Sequence, residues 1–99
     1  MIQEKVQLKN KEADGYVIPL GPANLVLVAT DVGAVFCGAF DVSALDKFDY
    51  PAARVKPTWG GSIQTIKDIL RGEVALVNNK AAELGLEIGM MGKEALDLM

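Results

Sequence analysis

The first half of the chain shows the hydrophobic pattern of β-strands. Residues 2–8 alternate imperfectly between apolar and polar side chains, as an edge strand does. A polar connection follows, and after it come three apolar runs separated by turns that contain Gly and Pro. The last two runs flank a short turn at Gly33 and therefore predict a β-hairpin. The predicted strands are residues 2–8, 16–20, 24–30 and 34–40.

The second half mixes short helices with extended segments. Its strongest helical pattern covers residues 62–71, where isoleucines and a leucine recur on one face. Ser62 is the predicted N-cap of this helix, and Gly72 lies just beyond its end. Shorter helices are predicted at residues 42–48, capped by Asp41 or Ser43, at residues 80–84, capped by Asn78 or Asn79, and at residues 93–98. Extended segments are predicted at residues 50–57 and 73–77.

Strands that come first and helices that come later predict an α+β fold. We expect one domain over residues 1–99, because a chain of 99 residues builds a single core. The predicted architecture is a two-layer sandwich in which short helices pack on one face of a mainly antiparallel sheet. Residues 1–14 form an N-terminal strand or extension in this prediction. The strand order stays open at this point.

The central strands carry apolar residues on both faces. From residue 15 to residue 45 the only charged side chains are those of Asp31 and Asp41. A sheet with one face in water alternates polar and apolar residues, and residues 25–29 and 34–40 do not. The few helices can cover one face, so a second copy of the chain is the predicted cover of the other. Coverage by loops and by the N-terminal segment is the alternative to this predicted homo-oligomer, for which a dimer is the first expectation.

Composition excludes several classes of function. The chain has no histidine and one cysteine, which rules out Ser-His-Asp and Cys-His catalysis and a structural zinc site within one chain. Its net charge is −3 and its basic residues are scattered, which argues against nucleic-acid binding. There is no signal-peptide pattern and no apolar run long enough to cross a membrane. We therefore expect a cytoplasmic protein that has no metal, no cofactor and no membrane association.

Three segments in a fixed order resemble a known family. They are Cys37-Gly38-Ala39-Phe40-Asp41-Val42, then residues 62–70, then residues 82–96. Together they are similar to the YunC-like family of small bacterial and archaeal proteins, and the similarity runs from about Tyr16 to the end of the chain. The resemblance implies a small two-layer fold of unknown function, with no catalytic residues to carry over. The loop over residues 57–61 departs from the family pattern.

Cys37 and Asp41 are the candidate catalytic residues. A thiol acts as a nucleophile when a nearby cation or helix N-terminus lowers its pKa. Cys37 precedes a predicted helix, but a neighbouring carboxylate such as Asp41 would raise the pKa of a thiol. The alternative is that Cys37 is a small buried apolar residue of a strand, which is common for a free cysteine.

The loop before the predicted main helix is the candidate ligand site. Glycines followed by a capping serine present backbone N–H groups to an anion such as phosphate or carboxylate. Basic side chains before the loop add positive charge, and the tryptophan can stack on a ring. The alternative is a tight turn with a simple cap. The candidate ligand-binding residues are Arg54, Lys56, Trp59, Gly60, Gly61 and Ser62.

These observations favour a binding module over an enzyme. The first hypothesis is an oligomeric domain that binds a small anionic molecule or another protein. The second is a small enzyme that uses Cys37 and Asp41 in a cleft between subunits. The surroundings of Cys37 discriminate between the two, because a sealed apolar pocket favours binding and an open cleft with Arg54 nearby favours catalysis.

Overall fold

The chain folds into one six-stranded sheet with short helices, in a computed structural model that describes residues Met1–Met99. A 3-10 helix, Ser43–Phe48, lies between the fourth and fifth strands. The strands are β1 (Ile2–Gln7), β2 (Glu12–Pro19), β3 (Asn24–Ala29), β4 (Ala34–Phe36), β5 (Ala52–Lys56) and β6 (Glu73–Val77). The α-helices are α1 (Ile66–Arg71), α2 (Asn79–Glu83) and α3 (Gly92–Asp97).

The strands lie in the sheet in the same order as in the sequence, from β1 to β6. All neighbouring pairs are antiparallel except β4 and β5, which are parallel. The parallel pair is possible because residues 37–51 connect the end of β4 back to the start of β5, as parallel pairing requires a crossover. A bulge between Arg54 and Val55 shifts the register of β5 against β6.

One face of the sheet, here the helix face, carries the main core. Its strands contribute Val6, Val17, Val28, Val35 and Val55, all of them buried. The buried residues of the three α-helices join the same cluster, which contains Ile66, Ile69, Ala81, Ala95 and Leu96. The hydrophobic helix stripes thus pack on the valine-rich side of the strands, as the sequence pattern predicted.

The other face, here the open face, is only partly covered. The register places Tyr16, Leu27, Phe36, Arg54 and Leu76 in one row across it. Residues 42–50, here the ridge, pack on the β4–β5 half of this face. The second cluster of buried residues joins Val42 of the ridge to Ala34, Phe36 and Ala52 of the strands. Leu25 and Leu27 on the β2–β3 half are half-buried, Leu27 packs against the second cluster, and Ile18 is 37% exposed.

Asn78 holds the ridge on the sheet. Its side-chain amide donates to the carbonyl oxygens of Val42 and Tyr50, at 3.1 and 2.8 Å. Its Oδ1 accepts from the N–H groups of Ala52 and Ala81, at 3.1 and 2.9 Å, and so also caps α2. Asn78 is 3% exposed, and all its hydrogen-bonding capacity is used within the chain, as a buried amide requires.

The structure confirms the α+β class and most of the predicted elements, and it corrects several boundaries. β2 begins at Glu12, so the second half of the predicted polar connection belongs to a strand. β4 ends at Phe36, four residues earlier than predicted. The main helix begins at Ile66, with Thr65 and not Ser62 as its N-cap. The short helix before β5 is a 3-10 helix that packs on the open face, whereas helices were predicted on one face only.

Close backbone packing fixes the second-half elements against each other. A Cβ atom on Gly92 would lie 1.9 Å from the carbonyl oxygen of Ile69, so α1 and α3 meet at a position that only glycine can occupy. The N–H of Gly92 donates to the carbonyl of Gly72, and that of Gly89 to Val74. The segment from Gly89 to Gly92 therefore covers the outer edge of β6. None of the helices has the length and apolar character needed to span a membrane.

Candidate functional site

The parallel pairing of β4 and β5 creates the main cleft of the molecule. Because the carboxyl ends of parallel strands lie at the same edge, the residues after β4 and the end of β5 come together there. The cleft has a volume of about 670 Å³. It is lined by Ala23, Cys37, Gly38, Ala39, Arg54, Val55, Lys56, Pro57, Gly61, Ser62, Ile63, Gln64 and Ala75.

The charge of the cleft is positive although the chain as a whole is negative. Two cationic side chains, Arg54 and Lys56, line it, and no acidic side chain does. The Nζ of Lys56 is 3.4 Å from Oε2 of Glu73, and Glu73 does not line the cleft. Arg54 makes no ion pair anywhere in the chain. The guanidinium of Arg54 is therefore available for an anion, and a guanidinium can bind carboxylate or phosphate in a bidentate manner.

Two loops add backbone donors to the same cleft. Gly38 and Ala39 follow β4, and Gly61 and Ser62 precede α1. No backbone carbonyl of the chain accepts a hydrogen bond from the N–H groups of these four residues. All four residues are exposed. Backbone N–H groups without an acceptor in the chain favour anions where they face a common concavity.

Cys37 and Asp41 are separated by the fold. Cys37 lines the cleft but is only 4% exposed, and its Sγ accepts a hydrogen bond from the N–H of Val26 at 3.4 Å. Asp41 does not line the cleft. Its Oδ1 accepts from the N–H of Ala44 at 3.3 Å, near the start of the 3-10 helix, but the N-cap residue of that helix is Val42 and not Asp41 or Ser43, the two predicted caps. Cys37 and Arg54 thus line the same cleft, and Asp41 lies outside it.

Trp59 and Gly60 are part of the loop but do not line the cleft. The Trp59 ring lies under the guanidinium of Arg71, whose Cζ is 4.0 Å from the ring centroid, a cation–π contact within the chain. Gly60 has φ +80°, so the loop needs glycine there for its backbone conformation. Arg71 also contacts Asp68 at 3.0 Å, which ties the loop to α1.

The N-terminus of α1 is already occupied by a carboxylate. Oδ2 of Asp68 accepts from the N–H groups of Gln64 and Thr65, at 2.9 and 3.1 Å. Burial by itself would raise the pKa of Asp68, but these hydrogen bonds and the one from Arg71 outweigh it and lower the pKa. Asp68 thus takes up the N–H groups of Gln64 and Thr65 just before α1, and Arg54 and the loop N–H groups are the donors left at the cleft.

Sequence reasoning missed part of the cleft wall. Gly38 and Ala39 lie within the Cys37–Val42 segment, so a signal for them existed in the family resemblance. Ala23 and Gln64 have no signal in the sequence, since only the folded sheet brings them to the cleft. The chain contains no group of three or more Cys, Asp or Glu side chains arranged to hold a metal ion.

Comparison with known proteins agrees with this fold. The chain is 30% identical over 91 residues to the uncharacterized protein YunC of Bacillus subtilis (strain 168), which covers 92% of this chain and 89% of that protein. A protein of unknown function from Thermoplasma acidophilum, TA1206, has a crystal structure that matches with a TM-score of 0.85. That match covers 97% of this chain and 89% of the other at 21% identity, so it supports the fold alone.

The family match includes most of the cleft. The family described as "Domain of unknown function (DUF1805)" matches residues 36–99, which contain every lining residue except Ala23. The similarity to the YunC-like family is confirmed by this match and by the Bacillus subtilis relative. Nothing in these relatives assigns a reaction. The chain belongs to the DUF1805 family, whose description is that of a domain of unknown function.

Proposed function

We propose that the chain is a self-associating binding module that holds a small anionic ligand in the cleft. The observation that carries the proposal is the unpaired Arg54 in a cleft that no acidic side chain lines. An arginine without a carboxylate partner inside the chain is suited to an external one. The free N–H groups of Gly38, Ala39, Gly61 and Ser62 supply further donors.

Self-association is supported by the open face of the sheet. Its β2–β3 half exposes apolar side chains that the helices, packed on the opposite face, do not reach. Contiguous exposed apolar surface marks interaction sites in soluble proteins. A second copy is the predicted occupant, and a dimer is the expected assembly. A cytoplasmic location fits the single cysteine, which is buried and forms no disulfide.

The anion proposal is tested by titration of the purified protein with inorganic phosphate and with citrate, followed by calorimetry. The two arginines of the chain form a matched pair, because Arg54 lines the cleft and Arg71 is engaged by Asp68 and Trp59. Arg54→Gln should weaken binding of these anions at least about tenfold, the usual effect of losing a charged hydrogen bond. Arg71→Gln should leave binding within about twofold. Absence of binding to both anions, or equal losses in both variants, would contradict the proposal.

Thiol chemistry at Cys37 is the second candidate function. The observation in its favour is that Cys37 lines the same cleft as Arg54, a cation that stabilises a thiolate when close to it. Asp41 takes no part in this candidate, because it lies outside the cleft. Alkylation by iodoacetamide at pH 7 that is faster than for free cysteine, and slower in Arg54→Gln, would support a reactive thiol. Alkylation slower than for free cysteine would exclude it.

A further inference from the structure

The cleft is larger than an inorganic anion needs. Its volume of about 670 Å³ lies within the range of roughly 300–1,000 Å³ that is usual for clefts that bind whole organic ligands. An anionic group held by Arg54 and the loop N–H groups would leave most of this space to the rest of the ligand. The walls of the cleft therefore indicate the chemistry of that remaining part.

The charges at the cleft match a single negative charge on the ligand. Arg54 is the one lining cation without an ion pair, because the Nζ of Lys56 lies 3.4 Å from Oε2 of Glu73. The chain as a whole has a net charge of −3, so each further negative charge on a ligand is repelled over a longer range. A carboxylate carries one negative charge, whereas a phosphate monoester carries about 1.5 to 2 at pH 7. A carboxylate is therefore the better match to Arg54.

The rest of the cleft wall offers little to a sugar or a nucleobase. Its uncharged polar side chains are those of Ser62 and Gln64, and Nε2 of Gln64 already donates to Oγ of Ser62. No aromatic side chain lines the cleft, so a base has no ring on which to stack. The apolar lining residues that are half-buried or exposed favour hydrocarbon instead, and they are Ala23, Ala39, Pro57 and Ala75.

A bulge in the sheet places one of these apolar residues next to the level of Arg54. Arg54 pairs with Leu76 and Val55 pairs with Val74, so Ala75 lies between them without a partner on β5. Bulges re-aim side chains and are common beside functional sites. Ala75 lines the cleft and is half-buried. Its side chain is a single methyl group, which leaves space for a hydrocarbon chain at this wall.

We infer that the cleft binds an aliphatic monocarboxylate, with the carboxylate on Arg54 and the hydrocarbon chain against the apolar wall that includes Ala75. This inference rests on the proposed anion site and names the class of its ligand. Apolar surface that leaves water on binding adds affinity for each buried CH₂ group, so the affinity should rise with the length of the chain. Phosphate and citrate make only the polar part of these contacts.

The test is calorimetric titration of the wild type with acetate, hexanoate and hexanol, beside phosphate and citrate. Hexanoate should bind at least about tenfold more tightly than acetate, because its longer chain leaves water for the apolar wall. Hexanol, which lacks the charge, should bind at least about tenfold more weakly than hexanoate. Hexanoate no tighter than acetate, or hexanol as tight as hexanoate, overturns this inference alone when phosphate or citrate binds. If none of the anions binds, both this inference and the proposed anion site are overturned.

Filling the apolar wall gives a second, independent measurement. Ala75→Leu places a larger side chain where the hydrocarbon chain should lie, so it should weaken hexanoate binding at least about fivefold and leave phosphate and citrate binding within about twofold. Ala82→Leu is the matched control, because Ala82 is an exposed residue of α2 that does not line the cleft. Unchanged hexanoate binding in Ala75→Leu, or an equal loss in Ala82→Leu, overturns the placement of the hydrocarbon chain. Retained phosphate or citrate binding shows that the Ala75→Leu variant is folded, and the wild-type series decides if it is not.

Discussion

The two faces of the sheet are both apolar along β3, but they differ in how well they are covered. Val28 and Leu27 are neighbours in β3, yet Val28 is fully buried under the helices and Leu27 is only half-buried on the open face. The helix face gathers a cluster of 19 buried residues, whereas the open face buries only 4. A strand that is apolar on both sides is stable only when both faces of its sheet are covered. The α-helices of this chain cover only one face.

Each face also has one buried polar residue that fixes its cover. Asp68 on α1 and Asn78 after β6 are the only polar or charged side chains that are buried. Asp68 sets the start of the helix that packs on the helix face, and Asn78 ties the ridge to the open face. Polar groups at such sites specify geometry because they must be satisfied by particular partners.

The largest loss of stability is expected from truncating a buried side chain on the helix face. Ile69→Ala removes a fully buried side chain of α1 and should lower the free energy of unfolding by about 4 kcal/mol. Leu27→Ala on the open face should lower it by about 1.5 kcal/mol, because its side chain is only half-buried. Urea denaturation at low protein concentration measures both, so that dimerisation adds little. Equal losses would show that the open face contributes as much to folding as the helix face.

The next largest effect is expected at Asn78. Asn78→Ala leaves two carbonyls and two N–H groups without their partner and should lower the free energy of unfolding by about 3 kcal/mol. Asn78→Asp keeps the acceptor for Ala52 and Ala81 but faces a carboxylate toward the carbonyls of Val42 and Tyr50, so it should be at least as destabilising. If Asn78→Asp unfolds like the wild type, the side chain only caps α2 and does not hold the ridge.

The smallest change in the free energy of unfolding, about 1 kcal/mol, is expected for a substitution of Asp68. This change depends on pH. Because its native pKa is lowered, ionised Asp68 stabilises the fold above its unfolded pKa of about 3.9, and this contribution is lost as the pH falls through the native value. Asp68→Asn should therefore be less stable than the wild type at pH 6, and the difference should shrink below pH 4. Urea denaturation across this range measures it. A difference that is constant with pH would contradict the lowered pKa.

Local patterns predicted the elements better than their ends. The apolar runs identified β3 and β6, and Asn78 was one of the two caps proposed for α2. The start of β2 was misassigned because Glu12 and Asp14 are polar, although they occupy the rim of the sheet, where Asp14 pairs with Lys5. The start of α1 was misplaced because Ser62 and Thr65 are both capping residues, and only Thr65 forms a capping box with Asp68.

The sequence by itself determined the class of the fold, the excess of apolar strand surface and the absence of histidine chemistry. These follow from composition and periodicity, which are local properties of the chain. The tertiary structure decided that β4 and β5 are parallel, that Cys37 meets the Arg54 cleft while Asp41 stays outside it, and that Trp59 stacks on Arg71. Such contacts join residues far apart in sequence, and strand pairing and packing select among them only when the whole core forms.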